Sequence, residues 1–410
     1  VLPIVGGALS AAQGRLASVT ATAPAPSAAT ELTGVWAELI GQTATVATLQ
    51  RAVAGGPHAM SHAWLVTGPP GSGRSNVARS FAAALQCPDG GCGHCTQCRT
   101  SLSGAHPDVT LVKTEMLSIG VDEVRELVRR ASMGPSLGRW QVLVVEDADR
   151  VTERGADALL KSIEEPAPRT VWILCAPTAD DVVATIRSRC RRLHLQTPTV
   201  DAVATLLQVR DGVDPTLAAF AARAAQGHVG RARVLARDEG ARTRRSEVLA
   251  VPGRLQRLGD CLSAAAALVE ACAAEASAAT ADLDAREKAA LEEALGFGTR
   301  GARPRQAQAA LRDLDEQQKA RAKRFQRDAI DRALTELTAY YRDLLSLQTH
   351  SGATLVNPEL GPQLAVAARR ATPEQTLRRI DAILGCRTAL ETNVTPLLAV
   401  EAMMIGLVEG

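Results

Sequence analysis

Aromatic side chains are scarce: they make up 2% of the 410 residues, as two tyrosines, four phenylalanines and four tryptophans. Alanine, leucine and valine must therefore fill the core, and the long Ala/Leu/Arg/Glu-rich stretches favour helix. Net charge is small too, at +2, so the chain as a whole does not announce a nucleic-acid binder and any DNA contact needs a local patch. Long apolar runs are lacking: "LSAAAALVEACAA" is interrupted by Glu270 and is too short to span a membrane. The opening stretch, "VLPIVGGALSAAQGRLASVTATAPAPSAAT", has no basic segment before its apolar part and does not read as a secretory signal. Residues 1–33 read instead as a low-complexity, disordered leader or an over-long translation start. A disulfide framework is excluded by distribution. Of nine cysteines, four lie between Cys87 and Cys98 and the rest are scattered, and an odd total fits a reducing cytosol.

What is present fits a soluble globular chain of two or three domains, with 46% apolar and 22% charged residues. From Trp36 onward the pattern is amphipathic, and then strand-like and helix-like segments alternate. "AWLVT" (63–67), "VTLVK" (109–113), "QVLVVED" (141–147), "TVWILCA" (170–176) and "RRLHL" (191–195) read as strands. "VDEVRELVRRASM" places Val121, Val124, Leu127 and Val128 on one helical face, and "ADALLKSIEEP" is a helix ended by Pro166. Alternation of this kind predicts an α/β domain over 34–196, a parallel sheet with helices on both faces. Strand signals stop after Thr197; a small helical unit over 197–241 and a helical domain over 242–410 follow. In the latter, Ile330, Leu334, Leu337, Tyr341 and Leu344 form one stripe of a long helix, and "GFGTRGARPRQAQ" is a basic break.

The segment "GPPGSGRS" after the first strand has the form of a phosphate-binding loop, with Gly68, Gly71, Gly73 and Ser75 in place. In such loops glycines let backbone N–H groups close around phosphate oxygens, a lysine reaches the terminal phosphates, and Ser/Thr binds Mg²⁺. Here Arg74 stands at the lysine position; it keeps the charge but is planar and larger. Acidic help is expected at a neighbouring strand end, and "VLVVEDAD" carries Glu146–Asp147 in the reverse of the usual order. Together these departures predict weak or absent hydrolysis.

"CPDGGCGHCTQC" places Cys87, Cys92, Cys95 and Cys98 within twelve residues, a donor set that suits a closed, structural Zn²⁺ site, with His94 a less favoured substitute ligand. "TIRSRCRRLHL" sets Arg187, Arg189, Arg191 and Arg192 around the last strand. They are either a basic surface turn or the source of an arginine that projects into a neighbouring subunit's nucleotide site. Arg191, Arg192 and the run Lys319–Arg327 are the candidate contacts to DNA phosphates.

The loop, the cysteine knuckle after its helix, "VVEDADRVTERGADALLKSIEEPAPRTVWILCAPT" and "IRSRC" together resemble the bacterial sliding-clamp loader family. The resemblance runs from about Trp36 to Gly240 and returns at "ETNVTPLLAVEAMMIGL"; between Arg242 and Gln375 it is only a helical likeness. It implies an AAA+ core, a helical lid, and a collar domain that assembles subunits into a pentameric ring of motor and delta subunits acting on primed DNA and the sliding clamp. Motor members carry lysine in the loop and an Asp–Glu pair; the delta-prime type often has a degenerate nucleotide site and keeps Ser-Arg-Cys, here Ser188, Arg189 and Cys190. By that resemblance Arg189 acts in trans on a neighbour's ATP, and Arg231 falls at the lid's phosphate-sensing position. The expectation is a cytoplasmic, non-motor component of the DNA polymerase (nucleotidyltransferase) holoenzyme, with structural zinc and with ATP either bound but not hydrolysed, or absent. An ATP-hydrolysing motor subunit and a zinc-stabilised adaptor are the alternatives.

Overall fold

The computed structural model describes residues 32–410 apart from 57, 115–117, 296–304 and 393. Nearly all of the leader and most of the basic break therefore lie outside the described residues. A short turn of helix at Gly34–Trp36 leads into α1 (Thr43–Val53), β1 (Ala63–Thr67), α2 (Arg74–Gln86), α3 (Thr96–Ser103) and β2 (Val109–Val112). Then come α4 (Val121–Ser132), β3 (Gln141–Val145), α5 (Glu153–Glu164), β4 (Thr170–Ala176), α6 (Ala184–Arg187) and β5 (Arg191–His194).

All five strands pair in parallel, in the order β2-β3-β4-β1-β5. Alternate strand residues point to opposite faces. Trp64, Val66, Val142, Val144 and Ile173 join one buried cluster with Phe81 of α2, whereas Leu65, Leu143, Val145, Trp172 and Leu174 join another with Leu127 of α4 and Leu159 of α5. A sheet covered on both faces needs strands apolar at every position, which is why β1, β3 and β4 are buried throughout. This is the parallel sheet with helices on both faces that the alternation of strand and helix predicts. In α4 the buried positions are Val124, Leu127 and Ala131, with Val121 and Val128 only half-buried, a stripe rotated slightly from the predicted one.

Beyond the sheet lie α7 (Val200–Val209), α8 (Pro215–Ala224) and α9 (Val229–Arg237), packed through alanines 218, 221 and 222 with Val203, Leu207 and Leu235. The remaining helices are α10 (Glu239–Ala250), α11 (Leu258–Ala294), α12 (Arg305–Gln348), α13 (Gly361–Arg370), α14 (Pro373–Glu391) and α15 (Pro396–Glu409). The stripe predicted on α12, from Ile330 to Leu344, is buried along its length in the core that α12 forms with α11, α13 and α14. One expectation needs correction. The alanine-rich run continues past Glu270 into a helix of 37 residues that is, by length and composition, apolar enough to cross a membrane. Its Cys261, Ala265, Leu268 and Cys272 face is instead packed in the core shared with α12 and α15.

Candidate functional site

The phosphate loop leaves β1 at its carboxyl end and feeds α2, the position where parallel α/β sheets bind ligands. Gly71 and Gly73 adopt left-handed backbone, at φ 84 and 91°. A Cβ on Gly71 would run into the ring of His228, which caps α9 and leans on the loop. Gly68 is buried, and Ser75 is half-buried in the first turn of α2. The Arg74 guanidinium turns back and donates to the Gly68 carbonyl. The Ser72 hydroxyl is buried against the loop without a hydrogen-bond partner among the described residues.

Glu146 and Asp147 follow β3 and are brought to the same end of the sheet, but to different partners. Buried Glu146 accepts a 2.8 Å hydrogen bond from Arg79 Nε, one and a half turns into α2. Asp147 Oδ1 lies 3.8 Å from Arg324 of α12, and its Oδ2 is buried with no hydrogen-bond partner among the described residues. Burial raises the pKa of the neighbouring Asp149 carboxyl, and the Asp147 charge adds to the shift. Burial also pushes the Cys175 thiol up to about 12, with Glu146 nearby, so it is no thiolate.

Arg231 does not reach toward the loop. It is hydrogen-bonded to Glu336 of α12, which also accepts from Arg245 of α10 at 3.2 Å. Arg245 donates further to Asn357 and Glu359, and Asp343 holds Asn357 through its backbone and side chain. Three of these groups, Arg245, Glu336 and Asp343, are almost fully buried, so each charge needs its partner. His228 accepts the Arg231 backbone N–H at Nδ1, and burial, then the Arg231 and Arg74 charges, hold its pKa below the usual value.

Arg189 stands apart from this site. Its guanidinium donates to the Thr185 carbonyl at 2.9 Å and the Ser188 hydroxyl at 3.1 Å, and pairs with Glu164 of α5 at 2.6 Å. Its side chain is 41% exposed. Burial pushes the adjacent Cys190 thiol up to about 12, which makes it a packing residue rather than a nucleophile. The candidate DNA contacts are partly engaged elsewhere: Arg191 caps the His58 and Ala59 carbonyls over the Trp64 ring, and Arg321 pairs with Asp284 and Glu287.

The four cysteines of the knuckle converge, with all four sulfur atoms within 4.8 Å of one another. The Cys87–Cys92 and Cys95–Cys87 separations are 3.7 and 3.8 Å. A disulfide needs about 2.05 Å, whereas the edge of a ZnS₄ tetrahedron with bonds of about 2.3 Å is about 3.8 Å. Backbone N–H groups of Cys92, Gly93 and Cys98 point at sulfurs. At Cys87 burial opposes the thiolate, but N–H donors from Cys92, Gly91 and Asp89 outweigh it and bring the pKa down to about 6. The donor set therefore fits a tetrahedral thiophilic ion. His94 is exposed, with Nδ1 against the Cys92 carbonyl, and lies outside the cluster. The knuckle packs on the first helical turn, where Val35 N–H donates to the Gly91 carbonyl and Gly34 leaves no room for a Cβ.

Sequence reasoning did not single out Arg79, His228 or Glu336, and it took Arg324 only as one of a run of candidate DNA contacts. Arg79 follows Arg74 by five residues on the loop's own helix, a weak local signal; the other pairings carry none, because the partners come from remote segments.

A family model described as DNA polymerase III, delta subunit, matches residues 41–199. The delta-prime subunit of DNA polymerase III from Pseudomonas aeruginosa is 37% identical over 142 residues, 33% of this chain and 43% of that one. That of Escherichia coli is 35% identical over 167 residues, 39% of this chain and 50% of that one. The gamma/tau subunit of Mycobacterium tuberculosis is 36% identical over 159 residues, 38% of this chain and 27% of that one. The chain thus spans half or less of the length of these relatives. Over its α/β part, the chain is similar to DNA polymerase III subunits of both the delta-prime and the gamma/tau type.

Proposed function

We propose that this chain is a non-motor, delta-prime-type subunit of a bacterial, cytoplasmic sliding-clamp loader, without ATPase activity of its own. Residues 34–196 are its AAA+ domain, 197–241 its lid and 242–410 the collar through which it joins motor and delta subunits in a pentameric ring. The ring places the sliding clamp on primed DNA for the polymerase holoenzyme. One observation carries the reading: the charged groups of the phosphate site already have partners within the chain. Arg74 bonds the Gly68 carbonyl, Glu146 bonds Arg79, Asp147 faces Arg324 and Arg231 bonds Glu336. A hydrolytic site needs these groups turned toward phosphate, metal and water.

Arg189 is the group this chain offers to a neighbour. It sits on a short rigid turn, part-exposed and held by Thr185, Ser188 and Glu164. In trans it would stabilise charge developing on the neighbour's γ-phosphate. Cys87, Cys92, Cys95 and Cys98 would hold zinc, which supplies a four-way cross-link to a loop too glycine-rich to pack alone.

A second reading, an ATP-hydrolysing motor subunit, is favoured by the 36% identity to a gamma/tau subunit. ATP turnover by the purified chain, alone and mixed with motor subunits, separates the two. Background turnover alone and activation of the mixture are expected. In the mixture, Arg189→Ala should lower turnover at the adjoining site by a factor on the order of 10³ while assembly persists. Motor-level turnover by the chain alone overturns the first reading, and an unchanged rate with Arg189→Ala removes the trans role.

A further inference from the structure

From the partners of the acid pair we infer that two guanidiniums of this chain, Arg79 and Arg324, occupy Glu146 and Asp147 in place of a divalent cation and make the pair metal-excluding. The inference rests on the silent-site reading and names its cause.

The two arginines approach from opposite directions. Arg79 comes from α2, the helix of the phosphate loop itself, and its Nε lies 2.8 Å from Glu146 Oε1. Arg324 comes from α12, far along the chain, and lies 3.8 Å from Asp147 Oδ1. That is ion-pair distance without a hydrogen bond. A divalent ion is drawn to such a pair by its two negative charges; Arg79 offsets that of Glu146, and Arg324, shared with Asp328 at the same 3.8 Å, offsets part of that of Asp147. The cancellation is strong because Glu146 is only 5% exposed, where charge–charge terms are weakly screened. Nearby Arg74 adds a third positive charge, felt at Asp149 and Cys175. Reversal of the acid order contributes as well: it sets the longer carboxylate where Arg79 can reach it from the helix. Asp147 Oδ2, buried and without a hydrogen-bond partner among the described residues, is the oxygen that would take a metal once the guanidiniums are gone.

Arg324 also ties the outcome to the rest of the molecule. The same helix supplies Glu336 to Arg231, so α12 furnishes a cation to the acid pair and an anion to the lid arginine. The long helix therefore works as an internal counter-ion to both halves of the nucleotide site.

The probe is Mn²⁺, followed by its electron paramagnetic resonance signal on the full chain with zinc present. Wild type should show no binding that depends on Asp147. Arg79→Gln combined with Arg324→Gln should gain one site, roughly tenfold or more tighter than any wild-type binding and lost again with Asp147→Asn. Asp147-dependent Mn²⁺ binding by wild type, or no gain in a double variant whose circular dichroism shows it folded, overturns the inference. If the double variant does not fold, Arg324→Gln alone must show a smaller gain, and its absence is equally decisive. ATP turnover is measured on the same samples. Turnover by wild type defeats the non-motor reading whatever the manganese result, and a manganese failure without turnover defeats only the assignment to the guanidiniums.

Discussion

Helix α2 joins two sites that look equally well marked in sequence, and they differ in where their donor atoms point. At its N-terminal end, Arg74 of the loop and Arg79 just beyond it are turned onto protein partners. At its C-terminal end, four sulfurs turn toward one another, with backbone N–H groups favouring the thiolate at Cys87. The knuckle presents four sulfurs gathered on one point, as a metal requires; the loop's arginine is already engaged by the protein. A motif's letters give the inventory of groups, and their partners decide whether it binds anything.

The sharpest way to break this contrast is to remove metal from the knuckle. Chelation, or Cys98→Ser, should cost stability on the order of 10 kcal/mol locally, seen as a lower melting temperature and loss of protection at residues 87–104 in hydrogen exchange. Metal analysis that finds no zinc in the reduced protein would place the knuckle on the same footing as the loop. Next in size is Glu336→Ala, which leaves Arg231 and the buried Arg245 short of a counter-charge and should cost about 3 kcal/mol in denaturant unfolding. A neutral result would mean that the phosphate site is not held shut by α12.

A smaller effect lies beside the knuckle end of α2, where Asp108 secures the loop before β3. Its carboxylate accepts from the backbone N–H groups of Ser136, Leu137 and Gly138 and from the Ser136 hydroxyl. Burial opposes ionisation there, but these donors outweigh it and bring the pKa down to about 2. The folded state therefore binds this proton less readily than the unfolded chain. The resulting stability, about 2 kcal/mol, is fully present above pH ~4 and is lost as pH falls toward ~2. Asp108→Asn should flatten that part of the stability-versus-pH curve. Smallest of all is Arg74→Lys: restoring the usual loop residue should leave ATP turnover at background, because Arg79 still holds Glu146 and His228 still leans on Gly71. Motor-level turnover in this variant would mean that one letter, and not the set of partners, silences the site.

The strands were legible because a sheet covered on both faces demands unbroken apolar runs, and "AWLVT" and "TVWILCA" match β1 and β4 residue for residue. The strand ends were less legible: "QVLVVED" forms a strand only to Val145, while the Glu146 N–H still donates to the Val112 carbonyl and its side chain meets Arg79. Arg321 and Arg324 read as charges free to meet phosphate and are instead buried in ion pairs, since nothing in the run Lys319–Arg327 reveals the carboxylates opposite. Alanine misled in α11, where composition gives apolarity without saying which face is packed.

By itself the sequence determined everything that depends on neighbours along the chain. It set the loop glycines, the four thiols within one turn-rich segment, the alternation of strand and helix, and the stripe on α12. Those features rest on backbone geometry and short spacings, which a linear text records. Tertiary structure alone decided which guanidinium meets which carboxylate. Arg79 and Glu146 are 67 residues apart and Arg231 and Glu336 are 105 apart, and only the folded chain brings them to hydrogen-bonding distance. Charge pairing over such separations leaves no local pattern, because any arginine and any acid would serve equally well until the fold selects one of each.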